Sequence, residues 1–129
     1  MKSDKLSFEK IEIIDVGSKG NSICKNSEGK VIIVKNGVPG DIIDVKTYKK
    51  RKKFFLGKIE KFHKYSDKRV QPKCTHFGVC GGCKWQNISY NEQVKFKENK
   101  IKHLFNDYNL DNKVNKIIKS ENQFYYRNK

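Results

Sequence analysis

Residues 31–48 read VIIVKNGVPGDIIDVKTY, two β-branched runs on either side of a turn containing Asn36, Gly37, Pro39 and Gly40. Val and Ile lose side-chain freedom in a helix but fit a pleated strand. Proline fixes φ and glycine reaches conformations that other residues avoid, so the chain reverses here. The same alternation of apolar run and turn extends in both directions. Upstream, EKIEIIDV (9–16) is followed by GSKGNS, and ICK (23–25) by NSEGK; downstream, a basic run leads to FFLGKIEKF (54–62). Five short strands in so few residues predict an antiparallel unit, and closing it into a small OB-like barrel removes the exposed sheet edges. Phe54 and Phe55, beside the basic run, read as aromatics that can stack on unpaired bases, with a place for one of them in the barrel core as the alternative. Cys24 falls alone in a strand, where it reads as a small buried hydrophobe.

After Phe62 the pattern changes. HKYSDKRVQPKC (63–74) has no periodicity and reads as a connector, and CTHFGVCGGCKWQ (74–86) then gathers three of the four cysteines. A helix is predicted from Ser89, with Ser89 and Glu92 in a capping-box arrangement. Val94, Ile101, Leu104, Phe105 and Tyr108 lie on one stripe of that helix and are expected to pack on the cysteine lobe. Val114 to Ile118 is a further strand candidate. The expected division is a barrel over 1–62, a connector, cysteine segment and helix over 63–110, and the start of another region over 111–129.

Composition limits the partners. The 129 residues carry 29 Lys and Arg against 14 Asp and Glu, a net charge of +15 spread along the chain, which suits a polyanion. Only 36% of residues are apolar, which argues against a large helical bundle and leaves a modest core that a metal or partner would support. The charged N-terminus is not a secretory signal and no stretch is long enough to span a membrane. A cytoplasmic protein without membrane partners is therefore expected; the oligomeric state is open, with a monomer favoured. In such a compartment thiols stay reduced, and clustered cysteines read as a metal site before a disulfide framework.

Cys80-Gly81-Gly82-Cys83 puts two sulfurs on one tight turn, and Cys74 is close enough in sequence to join them. Zinc, an iron-sulfur cluster, redox dithiol chemistry and incidental thiols all remain open on spacing alone. A His76 ligand would favour zinc, whereas surface roles are expected for His63, His76 and His103. Phe77 and Trp85 are read as shields of the cluster. The run KTYKKRKKFF (46–55) supplies Lys46, Lys49, Lys50, Arg51, Lys52 and Lys53 for phosphates, with Tyr48 as the aromatic expected outside the core, where it can stack on an unpaired base.

The segment from Cys74 to Phe105 resembles the cysteine segment of bacterial RNA uracil-5-methyltransferases, in which C-x5-C-G-G-C-x-x-Q precedes a Y-x-x-Q-x-x-x-K helix. The matching positions are Cys74, Cys80, Gly81, Gly82, Cys83, Gln86, Tyr90, Gln93 and Lys97. Residues 1 to about 62, with the DVGSKGNS and GVPGD turns, are similar to the family's N-terminal TRAM domain, an OB-like RNA-binding barrel, and the terminal YYRNK resembles the start of its central region. The resemblance implies a [4Fe-4S] cluster held by Cys74, Cys80, Cys83 and a later cysteine. It also implies a longer parent enzyme that uses S-adenosylmethionine to methylate C5 of a uridine in rRNA, most specifically 23S rRNA, or in tRNA. In that family a catalytic cysteine adds to C6 of an extruded uracil, which makes C5 nucleophilic. The glycine-rich cofactor loop and a nucleophilic cysteine are missing from these residues, so this chain alone is expected to be inactive. The alternative is a free-standing zinc or iron-sulfur RNA-binding module without catalytic activity. With its ligand set incomplete, the region 63–89 is expected to be the least ordered.

Overall fold

The computed structural model describes residues 5–17 and 19–126. Ser18 of the first turn and Arg127, Asn128 and Lys129 of the terminal YYRNK lie outside the described residues, as do residues 1–4. Five strands, β1 (Ser7–Val16), β2 (Ser22–Lys25), β3 (Val31–Val34), β4 (Ile42–Lys50) and β5 (Phe55–Lys64), close into a barrel in the order β1-β2-β3-β5-β4. Each of the five apolar runs expected in the barrel is a strand. One pairing differs from the antiparallel expectation: β3 and β5 run parallel, with Ile32 opposite Phe55 and Ile33 opposite Leu56. Alternation along a strand records which side chains point inward, but it does not record which strand lies alongside.

Inward residues of all five strands form the core: Ile11, Ile13, Cys24, Ile32, Val34, Ile43, Val45 and Phe55 are buried, with Leu6, Phe8, Ile59 and Phe62 packed against them. Phe55 is the core phenylalanine and Phe54 is half-buried. β1 reaches both neighbours because it bends. Its pairing with β4 shifts between Phe8 and Ile11, and Lys10 in that bulge has φ 49°. The amide of Lys10 donates to Asp44 Oδ1 at 2.9 Å.

The described residues fall into two compact units, the first ending at Ile88 and the second beginning at Ser89. The second contains α1 (Tyr90–Asn106), capped by Ser89, whose hydroxyl accepts from the Glu92 amide at 3.4 Å. Of the expected apolar stripe only Val94 is buried; Ile101, Leu104, Phe105 and Tyr108 are all exposed, so the stripe does not form a core. Val114–Ile118 is not a strand. It follows a single 3-10 turn at Asp111–Lys113 as extended chain, and helix side chains satisfy some of its backbone donors. The Ile117 amide donates to Glu98 Oε1 at 2.8 Å, and the Ser120 amide to the Tyr90 hydroxyl at 2.8 Å. No helix among the described residues is long and apolar enough to cross a membrane.

Candidate nucleic-acid interface and cysteine loop

The β4–β5 hairpin carries the basic run. Lys46, Tyr48, Lys49 and Lys50 lie on β4, and Arg51, Lys52 and Lys53 form the turn, closed by the Arg51 amide donating to the Phe54 carbonyl at 2.7 Å. All seven are exposed. Inward Val45 and Thr47 alternate with outward Lys46 and Tyr48, and Tyr48 keeps 53% of its surface accessible, enough for its ring to meet a ligand. The Lys50 ammonium lies 6.0 Å from the centre of the Phe55 ring, which anchors the stem of the hairpin to the core without consuming the charge.

Sequence reasoning missed two sets of residues here. The first is Lys58, Lys61 and Lys64 on β5, all exposed and paired with Lys46, Asp44 and Ile42 of β4. The second fastens the connector to the barrel. Asp41, fully buried at the end of the Gly37–Gly40 turn, accepts from the Val38 amide at 2.8 Å, the Ser66 amide at 2.7 Å and Arg69 at 2.7 Å. Ser66 donates to the Pro39 carbonyl at 2.6 Å, and Gly40, at φ 102°, leaves no room for a side chain beside it. Arg69 also reaches the Asn36 carbonyl at 3.2 Å and stacks over Phe62 and Tyr65. A buried carboxylate needs such partners, because a charge without them is costly. No periodic signal announces Asp41, Ser66 and Arg69; the one local hint is an Asp directly after a Pro-Gly turn.

The connector is otherwise irregular, yet the cysteine loop returns to the barrel at fixed points. Trp85 Nε1 donates to the Gly20 carbonyl at 3.1 Å, the Asn87 side-chain amide donates to the Asn36 carbonyl at 3.0 Å, and Arg69 faces Ile88 across an isolated antiparallel bridge. Gly20, at φ 78°, sits directly beneath Lys84 and Trp85, where a Cβ would press on both. Trp85 therefore serves the attachment of the loop, in addition to any shielding role; Phe77 is half-buried.

Within the loop, Cys74, Cys80 and Cys83 are all exposed free thiols, carried on nested turns with Gly78 at φ 91° and Gly81 at φ 78°. Gln86 ties the ends of the loop together: its oxygen accepts from the Cys74 amide at 3.0 Å and its nitrogen donates to Cys83 Sγ at 3.2 Å. Among the described residues, no three His, Cys, Asp or Glu side chains are grouped to hold one metal ion. Cys24 is wholly buried on β2 opposite Ile13, and burial pushes its thiol up to about 12. His63 pairs with Asp44 at 2.7 Å, whereas exposed His76 closes the loop turns through its carbonyl and His103 is exposed in the last turn of α1.

No protein-family model matches the chain. Among curated proteins, an uncharacterized RNA methyltransferase of Thermotoga maritima is 34% identical over 122 residues, 95% of this chain and 28% of its own length. A second, from Porphyromonas gingivalis, is 37% identical over 92% of this chain and 26% of its own length. The 23S rRNA (uracil(1939)-C(5))-methyltransferase RlmD of Bordetella parapertussis is 34% identical over 74% of this chain and 20% of its own length. The chain spans about a quarter of the length of these curated relatives. The match runs along nearly the whole of this chain, so these residues are similar to a portion of these RNA methyltransferases.

Proposed function

We propose that this chain is the RNA-binding portion of an S-adenosylmethionine-dependent enzyme that methylates C5 of a uridine in RNA, with 23S rRNA as the substrate. The observation that carries this reading is the match to RNA methyltransferases over nearly the whole chain, one of the relatives bearing the name of a 23S rRNA uracil-C5 enzyme. The physical features agree with it. A barrel with an exposed cationic hairpin and an outward tyrosine suits a polyanion with unpaired bases. Methyl transfer itself needs an activated nucleophile, and the buried Cys24, with its thiol pushed up to about 12, is poorly suited to that role. The catalytic step is accordingly assigned to residues other than these.

The cysteine loop is proposed to hold a [4Fe-4S] cluster through Cys74, Cys80 and Cys83, with one further cysteine from outside these residues. Three exposed thiols on one turn-rich loop, its ends tied by Gln86, support this assignment. Its proposed contribution is to hold the loop's shape beside the barrel, and the proposed setting is cytoplasmic.

The test is RNA binding by the chain and by its Lys50→Ala, Arg51→Ala, Lys52→Ala triple variant across a salt series. The variant should bind structured rRNA more weakly, and its salt slope should fall in magnitude by about 0.7 to 0.9 for each phosphate it no longer neutralises. Unchanged affinity and slope would remove the hairpin from the interface.

A further inference from the structure

Register in the β4–β5 ribbon creates a feature that neither strand shows alone. Lys46 and Lys58 are direct cross-strand partners, both exposed on the outer face, with Ser7 of β1 on the other side of Lys46. Like charges placed opposite each other destabilise an antiparallel pair. Among the described residues neither ammonium has a carboxylate within ion-pair distance.

The row continues along the ribbon because of two irregularities. Val45 faces Ile59, but Asp44 faces Lys61 and Ile42 faces Lys64, so the pairing slips at Glu60 and again at His63. Regular alternation would turn every second lysine of a three-residue repeat inward; each slip restores the outward direction. Lys58, Lys61 and Lys64 consequently stand in successive outward rows, separated by two β4 residues or about 7 Å. That separation is comparable with the spacing of phosphates along an extended nucleic-acid strand. Asp44 in the middle row accepts from the Lys10 amide at 2.9 Å and pairs with His63 Nε2 at 2.7 Å, and its charge also acts on Lys61, so the middle row is partly neutralised while the Lys46–Lys58 row is not. Tyr48 lies on the same outer face beyond Lys46, next to the cationic turn.

We propose that this outer face is a phosphate track for single-stranded RNA, in which Lys46 and Lys58 straddle one phosphodiester, Lys61 and Lys64 meet the next two in turn, and Tyr48 stacks on a base. The proposal rests on the RNA-binding reading above and adds to it a surface, a direction along the ribbon and a preference for unpaired strands. The ligand relieves the repulsion between Lys46 and Lys58, so the track is less stable empty than occupied.

Lys58→Glu tests it, because the substitution acts with opposite sign on the free and bound protein. Facing Lys46, a carboxylate replaces repulsion with attraction, so the thermal midpoint of the free chain should rise. Affinity for a fluorescent oligouridylate should fall about tenfold or more, with a smaller salt slope, since attraction to a phosphate gives way to repulsion. Lys25→Glu, the same charge change on β2, serves as the control and should weaken binding much less. Equal weakening in the two variants would reduce the effect to net charge and overturn the track, as would a duplex hairpin bound more tightly than the single strand. Absence of binding by the unsubstituted chain would instead overturn the RNA-binding reading itself.

Discussion

The barrel and the cysteine loop are held in place by different physics, although both lie in the first compact unit. Eight buried side chains from five strands share the work of the barrel, so its cohesion is distributed over many apolar neighbours and a closed ring of backbone ladders. The connector and loop bury little apolar surface of their own. They depend on a few polar attachments to barrel turns: Asp41, the Asn36 carbonyl and the Gly20 carbonyl. A distributed core tolerates small changes, whereas a fastened loop can be released at one point.

Asp41 belongs to both regions, and replacing it should have the largest effect. Asp41→Ala leaves the buried Val38 and Ser66 amides without an acceptor and Arg69 without its carboxylate. A destabilisation of about 3 kcal/mol is expected in urea unfolding, together with faster amide exchange from 64 to 74. A variant as stable as the parent would mean that the connector is not held through the barrel turn. Trp85→Phe should separate the regions instead. It removes the donor to Gly20 at a net cost of about 1 kcal/mol, and exchange in 74–88 should accelerate while the barrel midpoint moves little. Equal changes in both regions would show that they unfold together.

The smallest effect concerns acid. The Lys10 amide, followed by His63, holds the Asp44 carboxyl below its ordinary value of 3.8, so the folded state favours the charged form. Its contribution to barrel stability is present above that ordinary value and is lost as pH falls through the lower folded one. Asp44→Asn should flatten this part of the stability profile below about pH 4. A parallel profile in the variant would assign acid sensitivity to other carboxylates.

The same contrast explains what could be read from the sequence. Strand positions were legible because Val, Ile and Phe runs alternate with Gly, Asn and Pro turns, and the helix start was legible from Ser89 and Glu92. The core position of Cys24 was legible because it falls within a strand run. Pairing order was not legible: Ile32 and Phe55 are brought together by barrel closure, and the slips that align Lys58, Lys61 and Lys64 exist only relative to β4. The attachment was hidden for a similar reason, since Ser66 and Arg69 lie 25 and 28 positions from Asp41 and all three are polar. At the other end, Val114–Ile118 had strand composition but no strand beside it, and Glu98 and Tyr90 took up backbone donors in and just after it.

The division of the four cysteines between core and loop is the claim on which both halves of the comparison depend. It is tested most directly by anaerobic reconstitution with iron and sulfide of the chain and its Cys24→Ala variant, the alanine chosen to preserve an apolar core. The two proteins should behave alike, with iron held weakly by the loop thiols and no stable four-thiolate cluster spectrum from either. A stable [4Fe-4S] spectrum in the parent that disappears in Cys24→Ala would show that Cys24 leaves the core to become the fourth ligand, and would contradict the account.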